Sequence, residues 1–205
     1  MELYFSPLAC SLATRIALYE ADAKADYIQV NTKLKQLHDG TDFYPINALG
    51  QVPVLRTDDG DLLTENTAIL PYVADLFPQA ALAPADRLQR ARMQQWLGFI
   101  STELHKALFV PLLDPHASEP VKTYARNKAG LRLGHLQTHL ADREFLLDRF
   151  SVADAYLFTV LNWASHGGID LAQWPRVKEY YGRQLQRPSI AQALTEELAL
   201  FRAKS

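Results

Sequence analysis

The sequence predicts a small α/β layer over residues 1–78, a linker over 79–86 and an all-helical bundle over 87–205. Three observations carry this. The first part alternates short aromatic or β-branched runs with helical periods, in the order strand, helix, strand, hairpin, helix. The stretch from Phe77 to Asp86 then carries Pro78 and Pro84 with little periodicity. Beyond it, the patterned stretches have the helical period.

Glu2 to Phe5 read as the first strand, broken by Ser6 and Pro7. From Ser11, apolar Leu12, Ile16 and Tyr19 recur at helical spacing, with Ala13 and Ala17 as good helix formers, giving a helix over 11–22. Asp26 to Val30 form a second strand, and the polar stretch 31–42 reads as loop. Val52 to Arg56, the turn Asp58-Asp59-Gly60 and the short run Asp61 to Leu63 read as a hairpin. Thr64-Glu65-Asn66 opens a helix whose expected apolar face is Ile69, Leu70, Val73, Leu76 and Phe77.

In the second part, a long helix runs from Arg87 to about Leu108, with Pro111 and Pro115 expected to end it. Another covers 120–141. Ser151 and Asp154 have the N-cap and N3 spacing of a capping box, with Asp in place of Glu, and start an apolar helix through Trp163. Pro175 and Pro188 sit at the tolerated first turn of the last two helices.

Composition limits function. Hydrophobic residues at 48% and charged residues at 21% are ordinary for a globular chain, and the net charge of −2 supplies no basic field for nucleic acid or an anionic membrane. A single cysteine forbids an internal disulfide and fits a reducing cytosol. The opening residues lack a signal-peptide pattern, and no apolar run nears the roughly 20 residues of a membrane span. The expectation is a cytoplasmic protein without nucleic-acid or membrane partners.

Cys10 lies where a strand hands over to a helix, beside free backbone N–H groups and the positive end of a helix dipole. That setting favours thiolate over thiol. The same position also suits a small buried hydrophobe, so it leaves both readings open. Gln51-Val52-Pro53 comes next: proline keeps Val52 extended, and an exposed extended Val52 offers one N–H and one C=O to a peptide, although a plain turn proline accounts for the pattern equally. At Thr64-Glu65-Asn66, free helix N–H groups suit a carboxylate and Glu65 an ammonium group, beside the simpler reading of N-capping by Thr64.

At about 100° per residue, Gly98, Thr102 and His105 fall within about 40° of one another, opposite an apolar arc of Trp96, Ile100 and Leu104. This polar stripe either lines a cleft or faces solvent. Glu103 falls inside the apolar arc without a sequence-level reason. His135 and His139 have the i, i+4 spacing of a metal pair but no third ligand, so an exposed polar face is the better reading and no metal is expected.

Taken together, these pieces resemble bacterial glutathione S-transferases of the beta class. The matching motifs are Leu-Tyr-Phe-Ser-Pro-Leu-Ala-Cys-Ser-Leu over residues 3–12, Asn-Ala-Leu-Gly-Gln-Val-Pro-Val-Leu over 47–55, Leu-Thr-Glu-Asn-Thr-Ala-Ile over 63–69, Gln-Trp-Leu-Gly-Phe-Ile-Ser-Thr-Glu-Leu-His-Lys over 95–106, and Phe-Ser-Val-Ala-Asp-Ala-Tyr over 150–156. The resemblance implies a thioredoxin-like glutathione-binding domain, a helical domain with a hydrophobic substrate pocket, and a homodimer. It places Cys10 beside the glutathione sulfur and His105 near it. Lys35 is placed on the glycyl carboxylate, Val52 before a cis Pro53 on the cysteinyl backbone, and Glu65 and Asn66 on the γ-glutamyl end. Thr102 is placed across the dimer interface.

The implied reaction conjugates the glutathione thiol to hydrophobic electrophiles in detoxification, with glutathione as co-substrate and no other cofactor. Two alternatives stand beside it: a Cys10-dependent thiol–disulfide transferase or peroxidase, and a non-catalytic glutathione-binding regulator. Phe5 and Gly98 depart from the family pattern, standing where many relatives carry a tyrosine and a polar side chain, and Asn66 stands where serine is frequent.

Overall fold

The computed structural model describes residues 1–203. They form two compact units, one of residues 1–83 joined by the last helix from Pro188, the other Pro84–Arg187. The sequence placed that last helix in the bundle. It packs instead on the first helix of the α/β layer, because its apolar stripe of Ile190, Ala193 and Leu194 is buried within the first unit.

The first unit holds a five-stranded mixed sheet, order β3-β2-β1-β4-β5. β1 (Glu2–Phe5) runs parallel to β2 (Asp26–Asn31) and antiparallel to β4 (Val54–Arg56), with Tyr4 opposite Ile28 on one side and Val54 on the other. The right-handed crossover expected of such a parallel pair needs a helix, which α1 (Leu12–Glu20) supplies. The hairpin forms as expected, with Leu55 opposite Leu63 of β5 (Leu62–Thr64) and Gly60 N–H bonded to the Thr57 carbonyl at 3.1 Å.

Two details differ from the sequence reading. The stretch read as loop contains β3 (Gln36–Leu37), an edge strand paired to Val30 and Asn31. α2 (Asn66–Leu76) buries Ile69, Leu70 and Val73, but Leu76, the last residue of the helix, is 44% exposed. One sheet face packs Tyr4, Val30, Phe43, Val52 and Val54 into a cluster. On β1, Phe5 points oppositely to Tyr4 by strand alternation and is fully buried. α8 (Pro188–Arg202) lies on α1, where Tyr19 Oη donates to Glu196 and Ser189 Oγ to Glu20.

The second unit is helical. α3 (Arg87–Phe99) starts on Asp86, whose carboxylate accepts the Gln89 N–H at 2.9 Å. From Ile100 to Phe109 the helix widens to the π form, with the Val110 N–H reaching the His105 carbonyl five residues back, and α4 (Val110–Leu113) continues it. Pro111 therefore does not end the helix. It sits in the first turn of α4, where a missing N–H is tolerated, and the helix stops at Leu113 before Pro115.

α5 (Glu119–His139) packs against the π segment. Arg132 from α5 explains Glu103: it binds the Glu103 carbonyl through Nε at 3.0 Å and pairs with its carboxylate through Nη2. His139 bonds the Leu146 carbonyl at 2.9 Å and tilts against Trp96 at 4.5 Å, while His135 stacks on the same indole at 5.4 Å. Both rings are therefore engaged in packing α5 on α3. All ten residues of α6 (Val152–Leu161) are buried, and α7 (Pro175–Leu185) packs on α5 and α6. The Ser151–Asp154 capping box forms in both directions.

Candidate functional site

In the first unit, the candidate residues converge on the loop between β1 and α1. Cys10 is half-exposed there, and its thiol donates to the Val52 carbonyl at 3.1 Å. Two of the amides expected to be free there are in use: Leu12 N–H bonds Ala9 O at 3.0 Å and Ala13 N–H bonds Cys10 O at 3.3 Å. The Val52–Pro53 peptide is cis, and the Val52 side chain lies in the sheet cluster, fixing its backbone beside Cys10.

Asn66 was expected to reach a ligand with its amide. The structure buries that side chain and spends both ends of it internally. Nδ2 donates to Cys10 O at 2.9 Å and Oδ1 accepts the Thr14 hydroxyl at 3.0 Å. Asn66 thus braces the start of α2 against the Cys10 loop. Thr14, four residues after Cys10 on the first helix, had only that spacing as a sequence signal.

Glu65 is the residue that caps α2, without a side-chain cap bond, so Thr64 is not the N-cap but the last residue of β5. Its carboxylate is exposed and its φ is +68°, a left-handed region that a non-glycine residue occupies at a cost of about 1–3 kcal/mol. Lys35 also has positive φ, at +58°, and its ammonium group donates to Gly50 O at 3.0 Å. Gly50 has a φ of +59°, which favours glycine, and an added Cβ would lie 2.7 Å from Cδ of Lys35 and force that side chain to shift.

In the second unit, the polar stripe does not behave as one face. Thr102 is exposed, its hydroxyl bonding Gly98 O at 3.0 Å, whereas His105 is buried. The π widening between them changes the angle per residue, so a wheel drawn at the α-helical period misplaces His105. Such widened segments frequently occur at functional positions. Nδ1 of His105 meets the Tyr156 hydroxyl at 2.7 Å, and the ring packs edge-on against Trp163 at 5.0 Å. Neither Tyr156 nor Trp163 is legible in the sequence as a partner; Tyr156 lies on the apolar helix after the capping box and Trp163 in the turn just past that helix's end.

Burial, with a smaller push from Lys106, lowers the His105 pKa from 6.5 to about 4. The imidazole is neutral at physiological pH. Unfolded, this histidine takes a proton near 6.5; folded, it does so near 4. Between those values the unfolded chain binds more protons, so the stability this group contributes is complete above 6.5 and is lost as the pH falls toward 4. Imidazole NMR should accordingly find His105 neutral down to about pH 5. A midpoint near 6.5 for His105 would contradict the burial argument.

A thioredoxin-like sheet unit carrying a cysteine at the β1–α1 turn, together with a helical unit, defines the architecture of a glutathione S-transferase. Residues 2–75 match the glutathione S-transferase N-terminal domain and residues 133–183 its C-terminal domain. The chain is 39% identical to glutathione S-transferase GstA of Escherichia coli O157:H7, over 96% of this chain and 98% of that one.

Among solved structures, it is similar to the beta-class enzyme of Sphingomonas chungbukensis (46% identity, 96% and 98% coverage, TM-score 0.92). It is likewise similar to a sphingomonad glutathione S-transferase complexed with glutathione (42% identity, the same coverage, TM-score 0.92). The chain belongs to the glutathione S-transferase family and stands with its bacterial beta-class members.

Proposed function

We propose that this enzyme, a glutathione transferase, conjugates the glutathione thiol to hydrophobic electrophiles as a cytoplasmic, homodimeric detoxification enzyme. The observation that carries the reading is the joining of Cys10 to the Val52 backbone and, through Asn66, to the N-terminus of α2. A γ-glutamyl tripeptide has the matching chemistry: an amino-acid head for Glu65 and the α2 amides, a central thiol for Cys10, and a terminal carboxylate for Lys35. Cys10 and the neutral His105 carry the roles in thiol activation that the family resemblance implies, and Thr102 that of a dimer contact. The acceptor substrate is apolar and its electrophilic carbon takes the thiolate.

Calorimetry with glutathione, followed by turnover of a generic aryl halide, tests this. Binding with turnover is expected. Glu65→Gly should weaken glutathione binding by roughly 10–100-fold, since a charged partner of the ammonium group is lost. The same variant should melt at or above the wild-type temperature. Relief of about 1–3 kcal/mol of backbone strain outweighs the added entropy of glycine in the unfolded chain. Undiminished binding by the variant would remove Glu65 from the site, and no binding by the wild type would overturn the proposed function.

A further inference from the structure

α8 brings into the first unit a carboxyl group that no solvent reaches: Glu197 is 0% exposed. In sequence it interrupts the apolar stripe of Ile190, Ala193 and Leu194 at helical spacing. Its Oε2 accepts the backbone N–H of Leu8 at 2.6 Å, and its Oε1 pairs with Arg15 Nη1 at 3.4 Å. The Arg15 guanidinium sits in the corner formed by the perpendicular rings of Phe5 and Tyr27, 4.4 and 4.2 Å from their centroids, with Glu196 3.9 Å away on the outer side. Leu8 lies in the β1–α1 turn two residues before Cys10, and its φ is +61°. A branched residue keeps that conformation only when its surroundings impose it.

Apolar side chains at positions 15 and 197 together would fill this space at no greater cost than the buried ion pair, whose desolvation is expensive even when the charges meet. Burial in fact raises the Glu197 pKa to about 7, against the opposing pull of Leu8 and Arg15. The group is therefore poorly explained by stability alone and well explained by geometry.

We propose that Glu197 is a positioning residue for Cys10, its buried carboxyl holding the Leu8 amide and thereby fixing the turn that presents the thiol. It acts through the loop and does not touch the sulfur. Arg15, packed over two aromatic rings, fixes Glu197 in turn. The inference rests on Cys10 being the thiol of the site, but its test uses no glutathione, so its failure is distinct from failure of the transferase reading.

Cys10 is the sole cysteine, so alkylation by iodoacetamide reports on it alone. Two double variants remove both buried charges and leave neither unpaired: Arg15→Met with Glu197→Gln keeps an acceptor for Leu8, and Arg15→Met with Glu197→Met does not. The glutamine variant should react within about twofold of wild type and the methionine variant about tenfold faster, because a loop that has lost its amide anchor opens more often. Equal rates in the two folded variants would overturn the proposal. So would amide exchange in the unmodified protein in which Leu8 exchanges as fast as an unbonded surface amide, a measurement that needs no variant to fold.

Discussion

Cys10→Ala is expected to abolish thiol–disulfide exchange between the enzyme and glutathione mixed disulfides, and to leave aryl-halide conjugation reduced about tenfold. The asymmetry follows from the chemistry. Exchange requires a protein sulfur to form and release the mixed disulfide, and the chain has no second cysteine to replace it. Conjugation requires only that the glutathione sulfur be ionised and placed. A thiol is a weak donor, so its loss should cost less than the roughly 10²–10³ measured when a strong donor is taken from a reacting anion.

The glutathione KM should change little. Val52, Glu65 and Lys35 are held by groups other than the Cys10 side chain: Val52 by the sheet cluster, Lys35 by Gly50, and Glu65 by the α2 turn, whose Ala68 and Ile69 amides bond its carbonyl at 3.0 and 2.9 Å. The Asn66 brace grips the Cys10 carbonyl, which alanine retains. Conjugation undiminished in the variant would remove Cys10 from the catalytic group. Exchange undiminished would mean that glutathione attacks the mixed disulfide directly, with no protein sulfur taking part.

The second large effect is structural. Asp154→Ala should destabilise the helical unit by about 3–5 kcal/mol. Its carboxylate is 0% exposed and satisfies four donors, each at 2.9 Å: the Leu146 N–H, the Ser151 N–H and hydroxyl, and the Tyr180 hydroxyl. Removing it leaves all of them buried without an acceptor and unties the start of α6 from α7.

For a chain of this size about 2–4 °C of Tm accompanies each kcal/mol, so a fall of roughly 10 °C in thermal unfolding is the expected reading. Asp154→Asn should fall between, because an amide offers one acceptor oxygen and turns an N–H toward donors. A loss below about 1 kcal/mol in the alanine variant would show that water replaces the carboxylate.

The sequence was most legible where local physics decides. Alternation and turn chemistry placed β1, β2, the β4–β5 hairpin and α1 within a residue or two. The Ser151–Asp154 spacing gave a capping box that the structure contains. The short β3 escaped because a two-residue edge strand has no period to read, and Pro111 misled because a widened helix admits it.

The class of the protein, its two-part architecture and the identity of the residues around Cys10 are legible in the amino-acid order, since these rest on short-range pattern and motif. Tertiary structure alone decided how those residues are used. Asn66 gained a bracing role that its position in the sequence did not show, because α2 begins against the Cys10 loop and its amide finds the Cys10 carbonyl and Thr14 there. His105 turned from a polar-stripe residue into a buried neutral imidazole, because the π segment rotates it onto Tyr156. Glu197 gained a task because α8 returns 189 residues after Leu8 to pack on α1. Such contacts join positions far apart in the chain, and no local period records them.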